Sequence, residues 1–234
     1  ESIPFIKGAI GAYEKKSKLM PKDTSLYIKL GQLYFYIQEY KLSQEVLNKA
    51  IALDQLNYEP YYLRGLIFKE VKKIPEAIRS LSIAAEQNPN DFNTQMQLGL
   101  IFGNKKDIKS ASYYSNALKI KPNNEQALYS RGYFYQSIDS FRLAIADYQA
   151  ILDQDKDNKN ALYNLGYIAY LQKEYKKGIE YFTKAIQSES TYAEAYYSRA
   201  MCEDALGNKT KAKSDLLKSQ ELDPLYGGFE FKKK

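Results

Sequence analysis

The feature that most constrains this chain is a ladder of small residues, Gly31, Gly65, Gly99, Gly132, Gly166 and Ala200, at successive intervals of 34, 34, 33, 34 and 34 residues. One supersecondary unit is written over and over, and such a chain grows by stacking neighbours, not by enlarging a single core. Its length of 234 residues therefore sets no domain count by itself.

Apolar or aromatic residues stand four before and three after the rungs, as in Tyr27 and Tyr34, Tyr61 and Phe68, or Leu128 and Tyr135. With Leu30, Leu98 and Leu165 one before the rung, they recur at three- and four-residue spacing, which predicts one face of a helix. A short polar turn such as Lys72-Lys73-Ile74-Pro75 follows, then a second periodic run, Ala77, Ile78, Leu81, Ala84. Each period thus reads as helix A, turn, helix B, and the fold class is all-α. Pro75 suits a first helical turn, where its missing N–H would have had no intrahelical acceptor.

Two antiparallel helices joined by a short turn approach to about 8–10 Å, and the closest contact needs a side chain of little bulk. Glycine inside a helix costs about 1 kcal/mol relative to alanine, so repeating it implies a repeated packing gain. Ala200 is expected to fit the same slot. A second ladder, Pro21, Pro89, Pro122 and Pro224, shares the single short interval, which places one deleted residue between Gly99 and Pro122. The turn Gly103 to Asp107 is the expected spot, since a loop loses a residue with less damage than a packed helix.

A rung glycine with an aromatic three after it, Ala about twelve after, Ala about nineteen after and Pro at the end of the unit resembles the tetratricopeptide repeat. The second unit carries it as Tyr61, Gly65, Phe68, Ala77, Leu81, Ala84 and Pro89; the fifth as Leu162, Leu165, Gly166, Gly178, Phe182 and Ala185, with Ala169 and Gly178 departing from the pattern. The resemblance covers six units over residues 23–225, beginning near 23, 57, 91, 124, 158 and 192. Residues 1–22 match the second helix of an earlier unit through Ala9, Tyr13 and Pro21, so a preceding partner helix is expected, and residues 226–234 form a basic tail. The resemblance implies a right-handed superhelical α-solenoid whose concave wall, lined by helix A, receives a peptide or a partner helix, with no catalysis and no cofactor. The style of Ala161 to Tyr167 and Tyr181 to Ile186 resembles bacterial repeat proteins carried as anchored lipoproteins.

Three columns of helix A lie outside the packing set: three before, one after and four after the rung. If the resemblance holds, they face the groove. They supply the candidate binding residues Gln32, Phe35, Tyr62, Tyr129, Tyr133, Gln136, Tyr163, Tyr167, Tyr170 and Tyr197, with Asn160 and Asn164 beside them. Six tyrosines fall in the fourth to sixth units. Tyrosine joins a large ring to one hydroxyl at low rotamer entropy, which suits binding surfaces, and asparagine can bond a peptide backbone from both ends of its amide. The alternative reading is that a chain with 23 Tyr places them on half-buried helix contacts generally. The lysine and asparagine with which related domains hold acidic chaperone tails are replaced here by Ile28 and Gln32.

Arg64, Arg131 and Arg199 replace the leucine before the rung, and Asp147 and Asp215 follow the last two by sixteen residues, with Ser80 after Arg64. An Arg–Asp pair tying helix A to helix B is expected, with ligand binding by these arginines as the other reading. Composition narrows the chemistry further. There is no His and only Cys202, so the chain holds no Ser-His or Cys-His pair, no disulfide of its own and no multi-cysteine metal site. Asp153, Asp155 and Asp157 resemble the start of a calcium loop, but Asn158 and Asn164 stand where it needs Gly and Glu.

No run of apolar residues is long enough to span a bilayer. The chain is expected to be soluble in itself, cytoplasmic or exported and membrane-anchored through a preceding segment. The formal charge of +6 comes from 34 basic residues interspersed with 28 acidic ones. Lys15, Lys16, Lys18 and Lys22 cluster at one end and Lys232 to Lys234 at the other, with no aromatic-basic track between them, so nucleic acid is not expected as a partner. Gly227-Gly228 is expected to break the helical pattern, leaving Phe229 and Phe231 to fold back or fray. No polar capping helix is visible, so self-association through the ends is a second expectation beside groove binding of a protein segment; a glycan or small ligand in the tyrosine-lined groove is a third.

Overall fold

The computed structural model describes residues 2–226, except for the side chains of residues 2 and 3. The expected break at Gly227-Gly228, the residues Phe229 and Phe231 and the tail Lys232 to Lys234 lie outside the described residues. These form thirteen α-helices and no strand, divided between two units that meet in sequence after Pro122. The first holds α1 (Ser2–Leu19), α2 (Thr24–Tyr36), α3 (Tyr40–Leu53), α4 (Glu59–Glu70), α5 (Ile74–Gln87), α6 (Phe92–Asn104) and α7 (Lys109–Ile120). The second holds α8 (Glu125–Ser137), α9 (Phe141–Leu152), α10 (Lys159–Leu171), α11 (Tyr175–Ser188), α12 (Ala193–Ala205), α13 (Lys209–Leu222) and a 3₁₀ turn, Pro224–Tyr226. Within each unit the helices pack in consecutive A/B pairs, and each B helix also packs on the next A helix of its unit.

The rungs are where the paired helices touch. A Cβ on Gly31 would stand 2.5 Å from Leu47, on Gly65 2.6 Å from Leu81, on Gly99 2.7 Å from Tyr114 and on Gly166 2.8 Å from Phe182. At Gly132 the nearest approach is 3.0 Å, to Tyr148. These partners are fully or almost fully buried, so each glycine admits a large apolar or aromatic side chain of its B helix. Ala200, fully buried, occupies the same slot. The bare face also exposes a carbonyl: Ser43 Oγ donates to Gly31 O at 2.7 Å, and Ser110 Oγ to Gly99 O at 2.8 Å.

One turn closes all six pairs. The residue seven after the rung takes positive φ, at Gln38, Lys72, Lys106, Asp139, Lys173 and Gly207, and the next N–H donates to the carbonyl three after the rung, as in Glu39 to Tyr34 and Asp107 to Phe102. Only Gly207 adopts this left-handed conformation without a Cβ penalty; the other five accept about 1 kcal/mol each.

This conserved geometry relocates the deleted residue. The turn Gly103 to Asp107, where it was expected, keeps both the Lys106 left-handed position and the Asp107-to-Phe102 bond. The shortening lies between Asp107 and Ser110. There the N–H groups of Ser110 and Ala111 bond three residues back, to Asp107 O and Ile108 O, whereas Ser43, Ala77, Ala144, Gly178 and Ala212 bond four back. A first turn tightened from α to 3₁₀ uses fewer residues per turn, so the helix start, not the loop, absorbs the loss.

The two predicted ion pairs form. Arg131 Nε and Nη2 donate to Asp147 at 2.9 and 2.6 Å, and Arg199 Nε and Nη2 to Asp215 at 2.7 Å each. Arg64, lacking an aspartate, donates instead to Ser80 Oγ at 3.3 Å and Asn48 Oδ1 at 3.2 Å.

Two packing columns went unread in the sequence. The position two after the rung is buried at Ile67, Ile101, Phe134, Ile168 and Cys202, and Ile67, Ile101 and Cys202 pack on the preceding B helix of their unit. The position two before it is buried at Leu63, Asn164 and Ser198. Gly178, a departure from the repeat pattern, is explained by this contact: a Cβ there would meet Cys202 Sγ at 3.0 Å and Gly166 O at 3.3 Å.

Candidate functional site

The tyrosine-rich face belongs to the second unit and is carried by α8, α10 and α12. Side-chain caps fix the starts of α8 and α10, where Asn124 Oδ1 accepts from Ala127 N and Asn158 Oδ1 from Ala161 N, while Tyr192 precedes α12 with no side-chain cap. Each cap satisfies an N–H of the first turn that has no intrahelical partner, which holds the starts of the two helices that carry the stacked tyrosines.

Along α8 and α10 the residues three before and one after the rung are four apart and stack. Tyr129 and Tyr133 lie 6.4 Å apart between centroids at 10° between planes, and Tyr163 and Tyr167 lie 6.4 Å apart at 16°. The inner member of each pair is held from behind by the following repeat. Asn164 Nδ2 donates to Tyr129 Oη at 3.4 Å, and Ser198 Oγ to Tyr163 Oη at 3.3 Å, both across 35 residues of sequence. Asn164 Nδ2 also donates to Asn160 O at 2.7 Å, so both of its N–H donors are engaged and the side chain is buried.

The outer members differ. Tyr133 is 57% exposed and Tyr167 half-buried, and Asn160 is exposed beside them. Tyr170 packs on Tyr167 and on Tyr175, at 6.4 and 5.9 Å. Gln136 Oε1 accepts from Tyr148 Oη at 3.1 Å. Tyr197 packs on Tyr226 at 4.9 Å. The fourth and fifth repeats therefore present a pre-stacked tyrosine pair each, with one ring fixed and one ring available.

In the first unit the corresponding positions are more deeply used for packing. Ile28 and Met96 are buried, which removes them from the outward stripe. Phe35 and Tyr62 lie partly buried against the Ile28, Leu47 and Leu63 cluster, and Gln32 Oε1 accepts from Lys29 Nζ at 3.3 Å. Burial is also the main reason the Tyr62 hydroxyl is pushed above its ordinary value.

Three residues absent from the sequence reading complete the face. Tyr192 lies 5.3 Å from Tyr163, Tyr226 joins Tyr197, and Glu194 stands exposed in the first turn of α12. Burial raises the hydroxyls of Tyr163 and Tyr192, and the Glu194 carboxylate adds to both shifts. Tyr226 is pushed up to about 12 by burial and then by Glu194. The signal for Ser198 was present, since it sits 34 residues after Asn164. Tyr226 lies beyond α13 and stands 34 residues after Tyr192, so the period carried a signal for it as well. Among the described residues no three His, Cys, Asp or Glu side chains gather into a metal site, and no helix is long and apolar enough to cross a membrane.

Two family models described as tetratricopeptide repeat match the chain, one over residues 133–193 and one over 24–55 and 193–224, together just over half of it. Among curated proteins the BBSome complex member BBS4 of Bos taurus is 25% identical over 180 residues, covering 76% of this chain and 34% of that protein. The chain thus spans about a third of that relative's length. A UDP-N-acetylglucosamine–peptide N-acetylglucosaminyltransferase of Giardia intestinalis is 28% identical over 59% of this chain and 10% of its own. Among solved structures, the C-terminal part of a TPR repeat-containing protein from Cytophaga hutchinsonii superposes with a TM-score of 0.80 at 16% identity, covering 94% of this chain and 91% of that one. YrrB, a TPR protein with an unusual peptide-binding site, superposes with a TM-score of 0.71 at 21% identity, covering 80% and 97%.

Proposed function

From a chain that belongs to the tetratricopeptide-repeat family, we propose a non-enzymatic adaptor that holds a protein segment against the tyrosine face of α8, α10 and α12. Proteins of this family generally mediate protein–protein interactions. The observation that carries the reading is the pair of tyrosine stacks. Each inner ring is hydrogen-bonded in place while its outer partner, Tyr133 or Tyr167, keeps surface open to a ligand. Rings ordered in advance lose little entropy on binding, and tyrosine contributes area together with a hydrogen-bonding tip. The peptide-binding site for which YrrB is named agrees with this use of the fold; at 21% identity that likeness carries the fold alone, so the ligand class is our inference.

The functional unit in this reading is six repeats over residues 23–225, with α1 acting as the second helix of a preceding pair. Gln32, Phe35 and Tyr62 of the first unit are assigned a subsidiary role, because packing already claims much of their surface. The test is affinity capture from native extract with the full chain and with Tyr133→Ala/Tyr167→Ala. Both residues lie on the outer ring of a stack, so the helical circular dichroism should be unchanged while the captured partner falls at least tenfold. Undiminished capture would remove the tyrosine face from the binding surface.

A further inference from the structure

We infer that the tyrosine face selects a positively charged protein segment, whose lysine or arginine side chain docks beside Glu194 among Tyr163, Tyr192, Tyr197 and Tyr226. This deepens the proposed function and rests on it. The argument begins with what the face lacks. In a chain of net charge +6, the helix-A positions six before, three before, one after and four after the rung carry no Lys or Arg anywhere in the second unit. Those positions read Gln126, Tyr129, Tyr133 and Gln136 on α8; Asn160, Tyr163, Tyr167 and Tyr170 on α10; and Glu194, Tyr197, Met201 and Asp204 on α12.

The charges that do border the face are mostly spent on one another. Lys159 lies 5.4 Å from the Tyr192 ring and is ion-paired to Glu189. Asp204 accepts from Lys209 at 2.5 Å. Glu125 accepts from Asn158 Nδ2 at 3.0 Å. Glu194 differs: among the described residues it has no ion-pair or hydrogen-bond partner, and it is exposed. It lies in the first turn of α12, three residues before Tyr197, while Tyr192 immediately precedes that helix. The Glu194 carboxylate acts electrostatically on Tyr163, Tyr192 and Tyr226, rings that pair as Tyr163 with Tyr192 at 5.3 Å and Tyr226 with Tyr197 at 4.9 Å.

An unpaired carboxylate beside four tyrosine rings is complementary to a cation. The ring faces attract a Lys ammonium or Arg guanidinium through their quadrupoles, and the carboxylate supplies the counter-charge. An anionic segment would meet the repulsion of Glu194, and the base beside it, Lys159, is already paired to Glu189. The aliphatic stem of the same Lys or Arg side chain can lie along ring surface while its charged end reaches the carboxylate. The stacked outer rings, Tyr133 and Tyr167, then take the apolar part of the segment.

Three twelve-residue peptides of one Leu/Pro frame, with four positions made all Lys, all Gln or all Glu, would be titrated against the full chain by fluorescence anisotropy. The Lys peptide should bind at least tenfold tighter than the Glu peptide, with the Gln peptide between. Glu194→Gln should weaken the Lys peptide three- to tenfold and leave the Gln peptide unmoved, since an ion pair at a partly exposed site contributes modestly. Equal binding of all three peptides, no binding by any of them at millimolar concentration, or indifference to Glu194→Gln would overturn the charge preference. If binding also survives Tyr133→Ala/Tyr167→Ala, the face itself is wrong; if that variant alone abolishes it, the face stands and only the cation selectivity fails.

Discussion

At the scale of the residue, the rung glycines and the helix-surface glycines make opposite demands. A Cβ at Gly65 would lie 2.6 Å from Leu81 Cγ and 3.3 Å from the Leu81 backbone nitrogen, and backbone does not swing aside. At Gly8 nothing stands within 4 Å. Gly65→Ala should therefore destabilise by about 1–3 kcal/mol through overpacking, net of the helix-propensity gain. Gly8→Ala should instead stabilise by up to about 1 kcal/mol. Urea unfolding of the two variants checks the contrast, and equal signs would contradict the packing role of the ladder.

The A/B pair is the element at which the arginine–aspartate ties act. The side chain of Asp147 is 5% exposed and that of Arg131 23%, so removing the aspartate takes the counter-charge and two hydrogen bonds from a guanidinium that water reaches only in part. Asp147→Val should cost about 2–4 kcal/mol, between the values for exposed and fully buried pairs. The first repeat shows an apolar solution to the same geometry, with Leu30 and Val46 at the equivalent positions. Arg131→Leu/Asp147→Val should accordingly recover most of the loss and end within about 1 kcal/mol of the parent. Thermal denaturation of the single and double variants measures this; a double variant as unstable as the single would show that the pair does more than fix registry.

On the scale of the whole molecule, a repeat array is stabilised by nearest-neighbour interfaces, so a helix that buries little apolar surface against its neighbour opens first. Helix α1 is the extreme case in the first unit: Phe5 and Leu19 are 82% and 83% exposed, and Ile10 is its buried apolar anchor. Its other tie is Tyr34 Oη, which donates to Glu14 at 2.6 Å. Burial, reinforced by that carboxylate, pushes the Tyr34 hydroxyl up to about 12. The fold thus retains a proton that the unfolded chain begins to release near the ordinary value of 10.0. This contribution is complete below pH 10 and is lost as pH rises toward 12. Hydrogen exchange should show lower protection in α1 than in α4 and α5 at neutral pH. Protection in α1 equal to that of the interior pairs would rule this out.

Periodicity fixed a great deal in advance, because a 34-residue repeat and three- and four-residue spacing leave few ways to bury the apolar face. The all-α class, the paired helices, the close contact at the glycine rungs and the Arg131–Asp147 and Arg199–Asp215 pairs were legible for that reason. Tertiary structure decided what depends on neighbours. Ile28 and Met96 sit in the same column as Tyr129 and Tyr163 yet are buried, since a column's exposure is set by the adjoining helix as well as by its own spacing. Asn164 became the support for Tyr129, and the deleted residue moved from the turn to the start of α7. Above all, the period sets Tyr192 and Tyr226 at one repeat position, 34 residues apart, but only packing brings them against Tyr163 and Tyr197 to make the setting of Glu194.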